Sequence, residues 1–311
     1  MKLKGLILLN IFLVVAIGLS LWDGPVSTNT TEVSDLERWM PRDTSAIQSI
    51  QIEGVTLQHQ KSGWILEATQ QAINPLKINS TLYILTQWQE RLLSPEHKEE
   101  ALTRLQQNGL TVSIKGEKGT ETYQVVQKDE RTLWLGKNDT AVKEISIGGN
   151  QLKLEQIFST SAHYWQDRRV LPTNWGSMKE LAVRYSGAAS QNDYHIAYNP
   201  ESRFYQVKQV EQLDSLMLYE YVRGLQLLEY EKAVERTSLK DSLRNYTPFS
   251  TLYLEDLYSG KRTLKVYPMG PQEVYVWEEE KGQVMEVNFQ QMQDVLVVPS
   301  LFDATVEKGN R

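Results

Sequence analysis

From Ile47 onward, apolar and polar positions alternate in short runs, the period-two signature of half-buried strands. Ile50-Gln51-Ile52 and Val55-Thr56-Leu57 come first, Lys61-Ser62-Gly63 makes a turn, and Trp64-Ile65-Leu66 opens a third strand. After Asn74-Pro75 the period changes. Leu82, Leu85, Trp88 and Leu92 fall on one helical stripe, which predicts a helix capped by Asn79 or Ser80 and stopped by Pro95. A more polar helix is expected over 96–107. Strands follow at 111–115, 122–127, 133–135 and 144–147, separated by Gly, Lys-Gly and Asn-Asp turns, and 152–158 reads as a short closing helix.

The second half repeats this order. Strands are predicted at 181–185, 194–198 and 204–207, then a helix capped by Asp214 and running to about residue 234 through Leu216, Met217, Tyr221, Leu225, Leu228 and Tyr230. Four more strands, at 251–255, 263–267, 274–278 and 284–287, precede a closing helix at 289–296. The caps Ser80 and Asp214 lie 134 residues apart, and the strand starts Thr111 and Thr251 lie 140 apart. The letters differ, but the order and spacing predict two tandem α+β units, each β-β-β-α-β-β-β-β-α, of mostly antiparallel sheet with packed helices. Their expected bounds are 46–172 and 173–305, with 306–311 as a tail.

Ahead of these units the pattern is of another kind. Residues 1–4 carry Lys2 and Lys4, and 5–22 is an uncharged, mostly apolar run that includes Gly5, Leu9, Phe12, Val15, Leu19 and Trp22. Eighteen residues of helix span about 27 Å, near the thickness of a bilayer's hydrocarbon core. The preceding lysines put the N-terminus in the cytoplasm and the bulk of the chain outside, and Trp22 suits the membrane interface. An uncleaved anchor is the expectation. A cleaved signal peptide is the competing one, since Gly18-x-Ser20 is a small-x-small site. Residues 23–45, polar and holding Pro25 and Pro41, read as a spacer.

Composition narrows the chemistry. There is no cysteine, which excludes disulfides, thiolate metal sites and a cysteine nucleophile. The net charge is −6, and −8 without residues 1–22, so nucleic acid is not an expected partner. Four histidines remain: His59, His97, His163 and His195. Glu96, His97 and Glu100 share a helical neighbourhood with mixed ligand chemistry, but a solvated charged face is the strongly favoured reading. His163 and Asp167 stand four apart beside Trp165, a spacing able to orient an imidazole, with packing or capping the strongly favoured reading. No nucleophile elbow or phosphate loop is present, and no catalytic, cofactor or metal residue is assigned. The aromatic residues are the richer class. Tyr194, Tyr198, Phe204 and Tyr205 gather on one expected hairpin; core packing is the favoured reading, with Tyr194, Tyr198 and Tyr205 as a candidate interaction surface beside it. Arg168 and Arg169 are candidate contacts to lipid head groups or an acidic partner.

Several segments carry a family likeness. The Lys61-Ser62-Gly63-Trp64 hairpin leads into an apolar helix. Leu243-Arg244-Asn245-Tyr246-Thr247-Pro248 enters a strand, with a looser echo in Gln107-Asn108-Gly109-Leu110. The closing segment runs Tyr164-Trp165-Gln166-Asp167-Arg168-Arg169-Val170-Leu171. Together they resemble the DUF4340 family of bacterial proteins, although the second unit has Arg203-Phe204-Tyr205 in place of a Gly-Trp hairpin. The resemblance implies a membrane-anchored protein without assigned activity, a partner of ABC transporters of the gliding-motility type. The resulting expectation is a non-enzymatic, single-pass accessory or scaffold of an envelope complex in the bacterial inner membrane. It needs no cofactor, holds the membrane by its N-terminal helix, and meets protein partners in the periplasm. A glycan- or lipid-binding module and an unrecognised periplasmic hydrolase are the alternatives.

Overall fold

The computed structural model of the chain describes residue 39 and residues 43–138, 140–148, 151, 153–235, 237–270 and 272–306. The apolar run 5–22 lies outside the described residues. Among the described residues, no helix is long and apolar enough to cross a membrane.

Two eight-stranded antiparallel sheets dominate the fold. The first half of the chain runs β1 (Ser49–Ile52), β2 (Val55–Gln60), β3 (Gly63–Leu66), α1 (Pro75–Gln87), β4 (Gln89–Leu92), α2 (Pro95–Asn108), β5 (Leu110–Gly116), β6 (Gly119–Gln127), β7 (Thr132–Lys137), β8 (Ala141–Ser146), α3 (Leu154–Ile157) and α4 (Ala162–Trp165). The second runs β9 (Met178–Tyr185), β10 (Tyr194–Asn199), β11 (Phe204–Val207), α5 (Ser215–Leu225), β12 (Lys232–Val234), α6 (Thr237–Arg244), β13 (Ser250–Asp256), β14 (Gly260–Pro268), β15 (Glu273–Glu278), β16 (Gln283–Asn288) and α7 (Phe289–Gln293). The spatial orders are β3-β2-β1-β5-β6-β7-β8-β4 and β11-β10-β9-β13-β14-β15-β16-β12, the same strand for strand. By compactness the chain divides differently, grouping residues 48–80 with those from 158 onward and 81–157 with those before 48.

The register carries the repeat down to single residues. Val125 faces Leu135 and Val266 faces Val276, which places Glu121 and Lys137 where the second sheet has Arg262 and Glu278. Both positions hold an ion pair, Lys137–Glu121 at 2.5 Å and Arg262–Glu278 at 3.0 Å, with the charges exchanged. The helices cover equivalent faces too. Ala101 and Leu105 of α2 pack on Val126, Trp134 and Val142, while Leu243 of α6 packs on Tyr267 and Val284. On the other face of the second sheet, α5 buries Leu218, Tyr221, Val222 and Leu225, an i, i+3, i+4, i+7 stripe, in one core with Leu181, Val183, Ile196, Leu252 and Val266.

Three expectations need correction. α1 starts at Pro75, where the Asn74 side chain accepts from the Leu76 amide at 3.0 Å, so Asn79 and Ser80 lie inside the helix. It also ends before Leu92, and Pro95 opens α2 instead of stopping α1. α5 ends at Leu225, not near residue 234, and Leu228 and Tyr230 follow it in extended chain. Each half therefore gains a short edge strand (β4, β12), and the second half also gains α6, whereas α2 lies where the polar helix over 96–107 was expected. Gln-Glu-Arg-Leu and Lys-Ala-Val show no apolar alternation, so nothing in their pattern announces a strand.

The end of the expected spacer 23–45 is structured. The Trp39 amide donates to Glu90 Oε2 at 3.1 Å, the Tyr123 hydroxyl donates to the Trp39 carbonyl, and the Lys143 ammonium sits 4.5 Å from the Trp39 ring centroid. Trp39 thereby covers the buried Lys143–Glu90 pair, whose atoms are 2.8 Å apart. Asp43 then caps the turn Thr44–Ala46 by accepting from the Ser45 amide at 2.9 Å.

The helix-to-strand junction after α2 admits no side chain. A Cβ on Gly109 would lie 2.2 Å from the Leu105 carbonyl oxygen, which is backbone of the preceding turn. Gly109→Ala is therefore expected to destabilise by about 1–3 kcal/mol. Urea denaturation midpoints of the two proteins check this, with Gly148→Ala, whose Cβ meets nothing within 4 Å, as the neutral comparison.

Candidate functional site: the apolar end of the second sheet

Antiparallel pairing brings three loops to one end of the second sheet. Met178 pairs with Asp256, Glu180 with Ala197, and Asn199 with Phe204. The loop before β9, the β10–β11 hairpin and the β13–β14 hairpin therefore meet there. The centre of this end is Trp175. Its ring lies 4.7 Å from Tyr205, 5.3 Å from Phe204 and 5.4 Å from Tyr219 of α5, all edge-on, and Tyr198 meets Tyr205 edge-on at 5.5 Å. Such edge-to-face contacts set positive ring edges against negative ring faces. Tyr198, Leu216, Tyr219, Leu257 and Tyr258 are left exposed at or beside this cluster.

A buried carboxylate holds the loops together. Asp256 Oδ2 accepts from Ser177 Oγ at 2.5 Å and Thr173 Oγ1 at 2.8 Å, while Oδ1 accepts from the Tyr258 and Ser259 amides at 2.8 and 2.9 Å. Burial pushes this carboxyl up, but the hydrogen bonds from Ser177, the two amides and Thr173 outweigh burial and hold it below the ordinary range. The Leu257 amide adds a bond to the Ser177 carbonyl at 2.8 Å. Nearby, the Tyr205 hydroxyl lies 2.7 Å from the Trp175 carbonyl oxygen and 2.5 Å from that of Met178. Burial, then the Asp256 and Tyr198 neighbours, push its pKa up to about 12.

The candidates taken from the sequence divide. Tyr198 is 44% exposed and belongs to the surface. Tyr194 and Tyr205, at 2% and 3%, are core residues and not an accessible surface, because both point into the face that α5 covers. The Tyr194 hydroxyl lies 2.7 Å from that of Tyr221, and both reach the Val295 carbonyl at 3.0 Å, so burial raises the Tyr194 pKa well above its ordinary value.

Arg168 and Arg169 are not free for head groups or an acidic partner either. Arg168 donates to Glu229 Oε2 and to the Tyr230 carbonyl, each at 2.8 Å, and Arg169 grips Asp167 at 2.7 and 2.8 Å. Glu229 Oε1 also accepts from Lys77 at 2.8 Å and Asn74 at 3.0 Å, which clasps the segments around residues 74, 168 and 229 together. Asp167 is held by Arg169. His97 Nδ1 lies 2.8 Å from Ser94 Oγ, a side-chain contact at the start of α2. Among the described residues, no group of three or more His, Asp or Glu is placed to hold a metal ion.

Sequence reasoning missed Trp175 and the Leu257-Tyr258 tip. Trp175 stands in a Pro-Thr-Asn-Trp-Gly stretch with the composition of a connecting loop. The tip did carry a signal: two large apolar residues inside an Asp-x-x-x-Gly turn. No family model, curated protein or solved structure matches this chain. The likeness to DUF4340 stands on its short motifs alone.

Two outcomes check these clusters. Because the folded pKa of Asp256 is depressed, its stabilisation is complete above the unfolded value of about 3.9 and is lost as pH falls through the folded value. Asp256→Asn should cost about 1–3 kcal/mol at neutral pH. The gap to the parent protein should close as pH falls below that value, which urea titrations across the acid range read directly. Glu229→Ala strands Arg168 and Lys77 without their counter-charge, at an expected cost of about 2 kcal/mol after allowance for partial exposure. The same titration at neutral pH, with Glu220→Ala on the surface as comparison, measures it.

Proposed function

We propose that this chain is a non-enzymatic, membrane-anchored accessory of an envelope complex, held at the inner membrane by residues 5–22 and docking through the apolar end of its second sheet. The observation that carries this reading is the asymmetry between two otherwise equivalent sheets. The β5–β6 hairpin of the first turns through Glu117-Lys118, whereas the matching β13–β14 hairpin of the second presents Leu257-Tyr258. Trp175, Tyr198, Phe204, Tyr219 and Leu216 extend that apolar character onto an edge strand and the first turns of α5. Aromatic side chains on a rigid scaffold carry a large share of binding energy at protein contacts.

The apolar run behind Lys2 and Lys4 supports the anchor. Tethering raises the effective concentration of a weak docking surface near any membrane partner. A transporter of the gliding-motility type as that partner follows from the DUF4340 resemblance. Contact is favoured over hydrolysis because the two dense polar clusters, around Glu229 and Asp256, spend their carboxylate oxygens on internal donors. It is favoured over glycan stacking because the rings at this end meet edge-on, with no shared plane for a sugar face.

Crosslinking of the full-length protein in native membranes, followed by mild-detergent purification and mass spectrometry, tests the proposal. Envelope-complex subunits should be recovered with the parent protein and lost with Leu216→Ser plus Tyr219→Ser, two exposed positions of α5. A protein recovered alone, with a mature mass beginning near Leu21, contradicts both the anchor and the complex.

A further inference from the structure

We infer that the β13–β14 hairpin tip, Leu257 and Tyr258, is a second membrane contact that seats this end of the second sheet in the lipid interface. The inference rests on the proposed anchoring, since two side chains are too few to hold a chain at a bilayer alone. Tyr258 is 87% exposed and Leu257 57% exposed, in the turn that joins β13 to β14.

The composition is interfacial: an aliphatic residue beside a tyrosine, whose ring is apolar and whose hydroxyl is polar. The tip is also rigid without being buried. Asp256 takes the Tyr258 and Ser259 amides, the Leu257 amide reaches Ser177, and Gly260 closes the hairpin at φ +74°, a conformation that favours glycine. Ordering of these two residues is thus complete before any contact is made, which removes an entropic cost of insertion.

Lys179 and Lys261 flank the tip and both pair with Glu255, at 3.0 and 3.2 Å. Their long stems allow the ammonium groups to rise to head-group level as the tip enters. The internal repeat supplies the counter-example. At the matching turn the first sheet carries Glu117-Lys118, and Gly116 stands where Asp256 would be.

The absence of cysteine makes the test clean, because one introduced cysteine carries the only label. Full-length protein is reconstituted into vesicles of phosphatidylcholine and phosphatidylglycerol with a nitroxide at Lys261→Cys, beside an intact tip. Separate proteins carry the label at Leu9→Cys, within the apolar run, and at Tyr246→Cys, which precedes β13 at its opposite end. Power-saturation spectroscopy reads accessibility to oxygen and to a water-soluble nickel chelate. The expected result is a label at 261 shifted from the aqueous pattern of the 246 label toward the oxygen-rich, nickel-poor pattern of the 9 label. Leu257→Glu with Tyr258→Lys, the residue types of the first sheet's turn, should abolish that shift while the 9 label keeps its pattern. A lipid-like 9 label with an aqueous 261 label overturns the inference and leaves the anchor standing. Aqueous labels at both overturn the two together. A shifted 261 label with an aqueous 9 label removes the anchor and overturns the inference as well, because two side chains alone do not hold a chain at a bilayer.

Discussion

The apolar end of the second sheet depends on one buried carboxylate. Asp256 ends β13, where a strand would ordinarily release its chain to solvent, and accepts four hydrogen bonds from two loops that share no sequence neighbourhood. Each donor lowers the free energy of the charged form, so a charge that burial alone would expel is kept inside. The consequence reaches outward in two directions. Through Thr173 and Ser177 it fixes the loop that carries Trp175, and Trp175 in turn positions Phe204, Tyr205 and Tyr219. Through the Tyr258 and Ser259 amides it fixes a hairpin whose exposed residues are apolar. A surface of large hydrophobic side chains would collapse on itself if its backbone were free. Here the backbone is held by groups that never reach the surface.

The duplicated topology explains why such specialisation is tolerated. Two sheets with identical strand order divide the work of stability, and each keeps its own helix cover and its own ion pair between strands six and seven or fourteen and fifteen. The exchanged signs of Glu121–Lys137 and Arg262–Glu278 show what the fold requires at that place, which is opposite charge and not a particular residue. Loops lie outside that requirement. At the β5–β6 turn the first sheet carries Glu117-Lys118, and at the matching β13–β14 turn the second carries Leu257-Tyr258, so this connection is one place where the halves diverge, and connections are where function is usually carried.

The strands with alternating burial were legible in the chain because period two is a direct image of a sheet with one covered face. The order of elements and the 140-residue offset followed from it. The edge strands β4 and β12 were not legible: an edge needs only backbone pairing on one side, and Gln89–Leu92 has no apolar face to betray it. The helix boundaries failed where two rules compete. Asn74-Pro75 is both a turn signal and the N-cap and first residue of a helix, and only tertiary contact decides between them. For the site, pattern marked the aromatic hairpin but could not separate Tyr198 from Tyr205. They pair across β10 and β11 and lie on one face, and their exposure differs because Trp175 and α5 close over one of them. Trp175 itself has no periodicity around it, and the four donors that Asp256 collects come from positions 2 to 83 residues away.

The most direct measurement is amide hydrogen exchange at the β13–β14 tip in the full-length protein. If Asp256 organises this end, the Tyr258 and Ser259 amides exchange slowly although the Leu257 and Tyr258 side chains are exposed, and Asp256→Asn releases them together with the Leu257 amide. Fast exchange of the Tyr258 and Ser259 amides in the parent protein would mean that the tip is not held, and the account of a pre-organised apolar surface would fall.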